Sequence, residues 1–177
     1  MANTLARLTA ALGVGLALVS APLAAEELKL AHFMSPRHVM HTDMMAPWVE
    51  EIARATGNRI SVKIFPGLQL GGKPPAQYKL AVDGIADISF GLQGYTSSAF
   101  PRTTLTELPY FGETGVVATE RMWSIFPKYL SEEYKDVRVL AVWSNDEPVI
   151  MTKSRAVRRL EDLKGMKVRT PSAVQSK

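Results

Sequence analysis

The sequence contains no cysteine. This absence excludes disulfide bonds and any enzyme that uses a thiolate nucleophile. Small extracellular domains often depend on disulfides, so a domain of this composition has to be held together by an ordinary apolar core. The sequence also lacks the Gly-x-Ser-x-Gly motif of a serine nucleophile, and its adjacent carboxylates, such as Glu50 and Glu51, point in different directions on a helix. No enzyme constellation is evident.

A phosphate-binding loop is incomplete. Gly67 is followed after four residues by Gly72 and Lys73, directly after an alternating apolar segment, as in a P-loop. The next position of a P-loop carries a Ser or Thr hydroxyl that binds Mg²⁺, whereas Pro74 stands here and offers neither a hydroxyl nor a backbone N–H. We therefore do not expect ATP hydrolysis.

Long hydrophobic runs are also lacking. Arg7 precedes an apolar run from Leu8 to Val19, which is shorter than the roughly 20 residues that a membrane-spanning helix needs. Small residues follow the run, and this order predicts a secretory signal peptide over residues 1–25, cleaved after Ala25. We expect a periplasmic protein, which a cysteine-free sequence fits and which meets no pool of ATP.

The charge balance is mildly basic, with 21 Lys and Arg against 17 Asp and Glu. Much of the excess lies in the stretch Lys153–Arg169, and basic stretches can bind the phosphates of nucleic acids. Here Glu161 and Asp162 interrupt the stretch and no aromatic residue is interleaved with it. We interpret it as a solvated face and expect no nucleic-acid partner.

Hydrophobic periodicity predicts an α/β fold. Strands are predicted at residues 28–33, 59–65 and 88–90, with helices at 42–57 and 74–84 between them, and Thr42 as the first N-cap. This alternation is typical of a parallel sheet with helical crossovers. One more helix is predicted at residues 115–130. Three more strands are predicted at residues 136–143, 148–152 and 166–170, followed by a helix that would begin at Pro171.

Ligands bind to parallel sheets at the carboxyl ends of the strands. The segments 34–41, 66–73 and 91–97, which follow the three predicted strands, are therefore the candidate binding loops. Arg169 is a further candidate, because it ends a predicted strand just before a predicted helix start, where backbone N–H groups favour anions. Its guanidinium could hold a carboxylate bidentately, although a surface arginine fits the sequence equally well.

His32, His38 and His41 fall within ten residues and form the best metal candidate in the chain. Their spacing matches no zinc motif, and His32 lies in a predicted strand whereas His41 opens a predicted helix. We predict a polar loop that lines a pocket, with no metal and no cofactor. A secreted α/β enzyme of unknown class that uses this histidine loop is the alternative function.

Five segments together carry a family resemblance: "LKLAHF", "APWVEEIARATGNRISVKIFPGLQLGG", "AVDGIADISFGLQGYT", "FPRTTLTELPYF" and "RRLEDLKGMKVRTPS". In this order they resemble the solute-binding proteins of tripartite ATP-independent periplasmic (TRAP) transporters, over nearly all of residues 26–172. The resemblance implies a periplasmic-binding-protein-like (Venus flytrap) fold of two α/β domains that closes around an organic acid anion. It further implies a binding protein, not an enzyme, that delivers its ligand to membrane subunits driven by an ion gradient.

The resemblance also implies roles for particular residues. Arg169 would pair with the ligand carboxylate, and the loops after the strands would face it with the candidates Phe33, His38, Gln69 and Tyr95. A second arginine of many members is replaced here by Pro148, and "GYT" and "RTPS" resemble a subgroup that binds aromatic or small keto and hydroxy acids. We expect residues 26–142 to form ligand-binding domain I and residues 143–177 to begin domain II of a longer protein.

Overall fold

The computed structural model describes residues 25–146 and 148–172 of the 177-residue chain. The predicted signal peptide, apart from Ala25, lies outside the described residues. So does most of the helix that was predicted to begin at Pro171. Within the described ranges, no helix combines the length and the apolar character that crossing a membrane requires.

The sheet has three parallel strands, β1 (Glu26–Ala31), β2 (Ile60–Phe65) and β3 (Ile88–Ser89), in the order β2-β1-β3. In the register of the sheet Leu28 lies opposite Val62, and Leu30 lies opposite both Ile64 and Ile88. The predicted parallel sheet with helical crossovers is therefore confirmed, and β1 is its central strand.

The connections between the strands are helical. A π-helical turn (Met40–Met45) leads into α1 (Ala46–Ala55), and a 3₁₀ turn (Pro74–Ala76) leads into α2 (Gln77–Val82). The prediction that Thr42 caps the first helix is wrong, because Thr42 lies inside the π-helical turn, whose backbone hydrogen bonds already begin at the carbonyl of His38.

Each face of the sheet carries its own apolar core. Leu30 and Val62 pack with Met34 and Met45 on one face, against residues of α1. The next residue along β1, Ala31, packs with Leu80 of α2 and Ala86. Successive side chains of a strand point to opposite faces, so the two helices lie on opposite sides of the sheet.

A third core surrounds α3 (Gly115–Ile125), which continues into a π-helical turn (Phe126–Leu130). Its buried members come from several parts of the chain, and residues of the segment 136–143 pack against them. The buried members are Phe100, Met122, Leu130, Tyr134 and Val142.

The three later strands were predicted wrongly. Residues 136–143, 148–152 and 166–170 carry no strand ladder, and the described part of the chain places no other strand beside them. Side chains of α3 hold the end of the first segment instead: Ser144 N–H donates to Thr119 Oγ1 at 2.9 Å, and Trp123 Nε1 donates to the Val142 carbonyl at 3.0 Å. The division into domains at residues 142 and 143 stays a prediction.

Candidate ligand-binding site

The segments that follow the three strands meet at one edge of the sheet. Leu68 N–H donates to the His32 carbonyl at 3.3 Å, and Gly67 N–H donates to the Met34 carbonyl at 2.8 Å. Phe90 N–H donates to the Ala31 carbonyl at 2.9 Å. This convergence follows from the parallel arrangement, which brings the carboxyl ends of all three strands to the same edge.

Four aromatic side chains lie at this edge and form what we call the aromatic cluster: Phe33, Phe90, Tyr95 and Trp143. The ring centroids are 5.9 Å apart for Phe33 and Phe90, 5.6 Å for Phe33 and Tyr95, and 5.5 Å for Phe90 and Trp143. Phe33 and Phe90 are partly buried and also pack against the sheet core. Phe33 and Phe90 therefore fix the cluster to the sheet core, whereas Trp143 is exposed to solvent.

Arg169 reaches the aromatic cluster from a distant part of the sequence. Its Nη2 donates a hydrogen bond of 2.6 Å to the Tyr95 hydroxyl, and its Cζ lies 5.9 Å from the centroid of the Tyr95 ring. The Arg169 side chain is exposed, and none of the ion pairs among the described residues includes it. A guanidinium has five N–H donors, so donors remain for an anion.

Gly94 explains how the two segments come so close. A Cβ at this buried position would lie 2.7 Å from Glu107 Oε1 and 2.7 Å from Ser172 Cβ. Any larger residue would push the segment that carries Arg169 and Ser172 away from the loop that carries Tyr95. The glycine of the "GYT" motif therefore permits the contact between Arg169 and Tyr95.

The predicted site residues divide into two groups. Arg169, Tyr95 and Phe33 lie together, whereas His38 and Gln69 are exposed and none of the described contacts joins them to the aromatic cluster. The His38 ring accepts a hydrogen bond from Met40 N–H at 3.1 Å. The ligand-binding roles of all five residues stay predictions.

Sequence reasoning missed two members of the aromatic cluster. Phe90 directly follows β3, so the rule that selects the carboxyl ends of strands could have identified it. Trp143 ends a segment that was predicted as a strand but forms none, so the strand-end rule does not place it, and only the tertiary fold brings its ring to Phe90.

The histidine loop has a structural arrangement of its own. His32 is fully buried, its Nε2 lies 2.8 Å from His41 Nδ1, and its Nδ1 accepts a hydrogen bond of 3.2 Å from Met34 N–H. Burial, reinforced by the nearby His41 and His38, lowers the pKa of His32 from 6.5 to about 4. The described residues contain no group of three or more His, Asp or Glu side chains that could hold a metal ion.

A family model that matches most of the chain shows which family the protein belongs to. The family model described as bacterial extracellular solute-binding protein, family 7 (DctP), matches residues 30–177. The chain belongs to this family. The predicted membership among TRAP solute-binding proteins is thereby confirmed, and with it the periplasmic-binding-protein-like α/β fold.

Solved structures of family members resemble this family 7 chain. A TRAP solute-binding protein from Rhodoferax ferrireducens, in complex with copurified benzoate, is 33% identical with a TM-score of 0.79, over 82% of this chain and 45% of that chain. A marine metagenome TRAP protein specific for aromatic acids, solved with 3-hydroxybenzoate, is 30% identical with a TM-score of 0.82, over 86% and 48%. A Bordetella bronchiseptica protein with bound (R)- and (S)-mandelate is 29% identical with a TM-score of 0.65, over 78% and 44%.

A curated relative from Comamonas testosteroni, named outer membrane transporter protein TsaT, is 26% identical over 159 residues, which are 86% of this chain and 46% of the relative. The chain thus spans about half the length of the solved structures and of this relative.

Proposed function

We propose that this protein captures an organic acid anion, and specifically a small aromatic carboxylate, as the solute-binding component of a TRAP transporter. The contact between Arg169 and Tyr95 at the aromatic cluster is the observation that carries the proposal. It combines a cation with accessible donors and an apolar surface of rings, which match the two chemical parts of an aromatic acid.

Each part of the site has a defined role. The planar guanidinium of Arg169 binds a carboxylate with two parallel hydrogen bonds, which are stronger than hydrogen bonds between neutral groups. The Tyr95 hydroxyl accepts one guanidinium N–H and thereby orients the fork. Phe33, Phe90 and Trp143 pack against the apolar part of the ligand, with offset or edge contacts that aromatic rings favour.

The comparisons support the same ligand class. Benzoate, 3-hydroxybenzoate and mandelate, the ligands of three structural relatives, are all aromatic carboxylates. Family membership supports the remaining parts of the proposal: export through the predicted signal peptide, action in the periplasm, and delivery of the ligand to membrane subunits that use an ion gradient. The role is one of binding, in which no covalent bond of the ligand changes.

Calorimetric titration with benzoate tests the proposal. Arg169→Ala should weaken binding by about 2–5 kcal/mol, because the ligand carboxylate would be left without its charged partner. Arg169→Lys should also weaken binding, since it keeps the charge but loses the planar fork. Lys167→Ala is the matched control: it removes one exposed positive charge from the same segment and should leave the affinity unchanged. Equal affinities of wild type and Arg169→Ala would refute the role of Arg169.

Tyr95→Phe separates the hydroxyl from the ring. The variant keeps the contact with Phe33 but removes the acceptor for Arg169 Nη2, and it should cost about 0.5–1.5 kcal/mol of binding free energy. A loss as large as that of Arg169→Ala would show that the hydroxyl contacts the ligand itself.

A further inference from the structure

His32 occupies a junction between the ligand-binding edge and the helical turn before α1. Its backbone N–H donates to the Phe65 carbonyl at 3.2 Å and its carbonyl accepts from Leu68 N–H at 3.3 Å. Its ring is hydrogen-bonded to Met34 N–H on one side and to His41 on the other. Phe33, a member of the aromatic cluster, lies between His32 and Met34, the two residues that the bond from Met34 N–H to His32 Nδ1 joins.

The hydrogen-bond network assigns the protons of the histidine pair. His32 Nδ1 accepts from Met34 N–H, so the His32 proton is on Nε2 and is donated to His41 Nδ1, and the His41 proton is on its Nε2. Each neutral imidazole has one acceptor nitrogen, and both acceptors are already engaged. An added proton must therefore break the bond to Met34 or the bond between the two rings.

We infer that the His32–His41 pair is a positioning device for Phe33, which holds the turn after β1 in the conformation that presents this ring to the ligand. This inference rests on the proposed function for its effect on binding. Without His41, the His32 ring is no longer fixed in the orientation in which its Nδ1 accepts from Met34 N–H, and the Phe33 ring is no longer held beside Tyr95.

No opposite charge compensates a proton on His32. The titratable groups that act on His32 are His41 and His38, and each of them disfavours a positive charge there. The ends of β2 and β3 contribute Phe65 and Phe90, which are uncharged and hydrogen-bond through their backbones to His32 and to Ala31 respectively. Acidification therefore acts against the paired arrangement.

Three variants at two positions test the inference. His41→Ala removes the acceptor for His32 Nε2–H. His41→Asn is the conservative variant, because the Asn side-chain oxygen can stand where Nδ1 stood and does not take up a proton. His38→Ala is the matched control, since His38 lies in the same segment, is exposed, and bonds to Met40 N–H instead of His32.

The first readout needs no ligand. In NMR spectra of the protein at pH 7, cross-relaxation between the Phe33 and Tyr95 rings should be present in wild type, His41→Asn and His38→Ala, and lost in His41→Ala. Persistence of the ring contact in His41→Ala at pH 7 would overturn the inference.

The second readout is titration with benzoate at pH 7.5, where a carboxylic acid of ordinary pKa stays ionised. His41→Ala should raise the Kd about tenfold at pH 7.5, the equivalent of one buried hydrogen bond. His41→Asn should bind benzoate about as tightly as wild type, whereas equal affinities of wild type and His41→Ala would overturn the inference. If wild type binds no benzoate, the proposed function fails, and the ring contact still decides the positioning role.

Discussion

Periodicity and apolar content predict a strand at residues 59–65 and another at residues 136–143, yet only the first segment is a strand. Ile60–Phe65 pairs along its whole length with β1, with Val62 opposite Leu28. Residues 137–140 turn alternate side chains inward: Val137 and Val139 pack against the core around α3, whereas Arg138 and Leu140 are exposed. Both segments therefore direct apolar side chains to a core, but only Ile60–Phe65 forms a strand ladder.

The difference shows what alternation measures. A period of two predicts which side chains face a core, because successive side chains of any extended chain point to opposite sides. A strand also requires a neighbour that pairs with its backbone N–H and C=O groups. Where the described residues supply no such neighbour, side chains of α3 hold the backbone of the segment 136–146, through Thr119 and Trp123.

The largest expected effect comes from placing the same negative charge in β2 and in the later segment that forms no strand. Val62 is 7% exposed in β2, whereas Val149 is 74% exposed in the later extended region. Val62→Asp should reduce the free energy of unfolding on the order of 4 kcal/mol, because it buries an unpaired carboxylate. Val149→Asp should change it by about 0.5 kcal/mol or less. Urea unfolding measures both, and similar costs would contradict the distinction between the two regions.

The second effect is a pH dependence that arises in the sheet region. The pKa of His32 is lowered in the folded protein from 6.5 to about 4, so the unfolded state takes up a proton in this interval while the folded state does not. Stability should therefore be full above pH 6.5 and fall as the pH decreases toward 4, by about 2–3 kcal/mol at roughly 1.4 kcal/mol per pKa unit. Urea midpoints measured across this range test the prediction.

His38→Asn is the control for the pH dependence. It replaces an exposed histidine of the same segment and should change the slope of stability against pH only slightly, because burial is the main cause of the lowered His32 pKa and His38 is the smallest of the lowering causes. A wild-type stability that stays constant from pH 7 to pH 4 would show that His32 does not remain neutral on folding.

The third effect concerns Gly94, where the loop after β3 lies against the segment that carries Arg169 and Ser172. Gly94→Ala places a Cβ 2.7 Å from Ser172 Cβ and from Glu107 Oε1, so the segment of Arg169 must shift. We expect a cost of about 1–3 kcal/mol in stability and a loss of the Arg169–Tyr95 contact, visible in the Tyr95 ring resonances. Gly91→Ala is the matched control, because its Cβ would meet Gln77 Cβ at an ordinary 3.7 Å. Equal losses of stability in Gly94→Ala and Gly91→Ala would show that the close approach at Gly94 is not required.

The smallest effect tests how the extended segment is held. Thr119→Val removes the oxygen that accepts Ser144 N–H at 2.9 Å and keeps nearly the same side-chain shape. The loss should be about 0.5–1.5 kcal/mol, with faster hydrogen exchange at Ser144. Thr119→Ser retains the hydroxyl and should retain the protection of Ser144. Unchanged exchange in Thr119→Val would mean that another group protects this amide.

The sequence by itself determined the features that depend on local pattern. The three parallel strands and the candidate loops followed from periodicity and from the rule that ligands bind at the carboxyl ends of strands, and the ordered segments indicated the family. Tyr95 lies in one of these loops, and Phe33 ends the first predicted strand. Arg169 was a candidate from its place before a predicted helix start, and the family resemblance strengthened it.

Only the tertiary structure decided which distant groups meet. No local pattern indicates that the Trp143 ring lies near Phe90, that His41 accepts a hydrogen bond from the buried His32, or that residues 136–143 form no strand ladder. The physical reason is the same in all three cases. Each depends on a partner that is distant in the sequence or lies in another element. The local sequence around a side chain or backbone group does not specify which such partner the fold brings into contact with it.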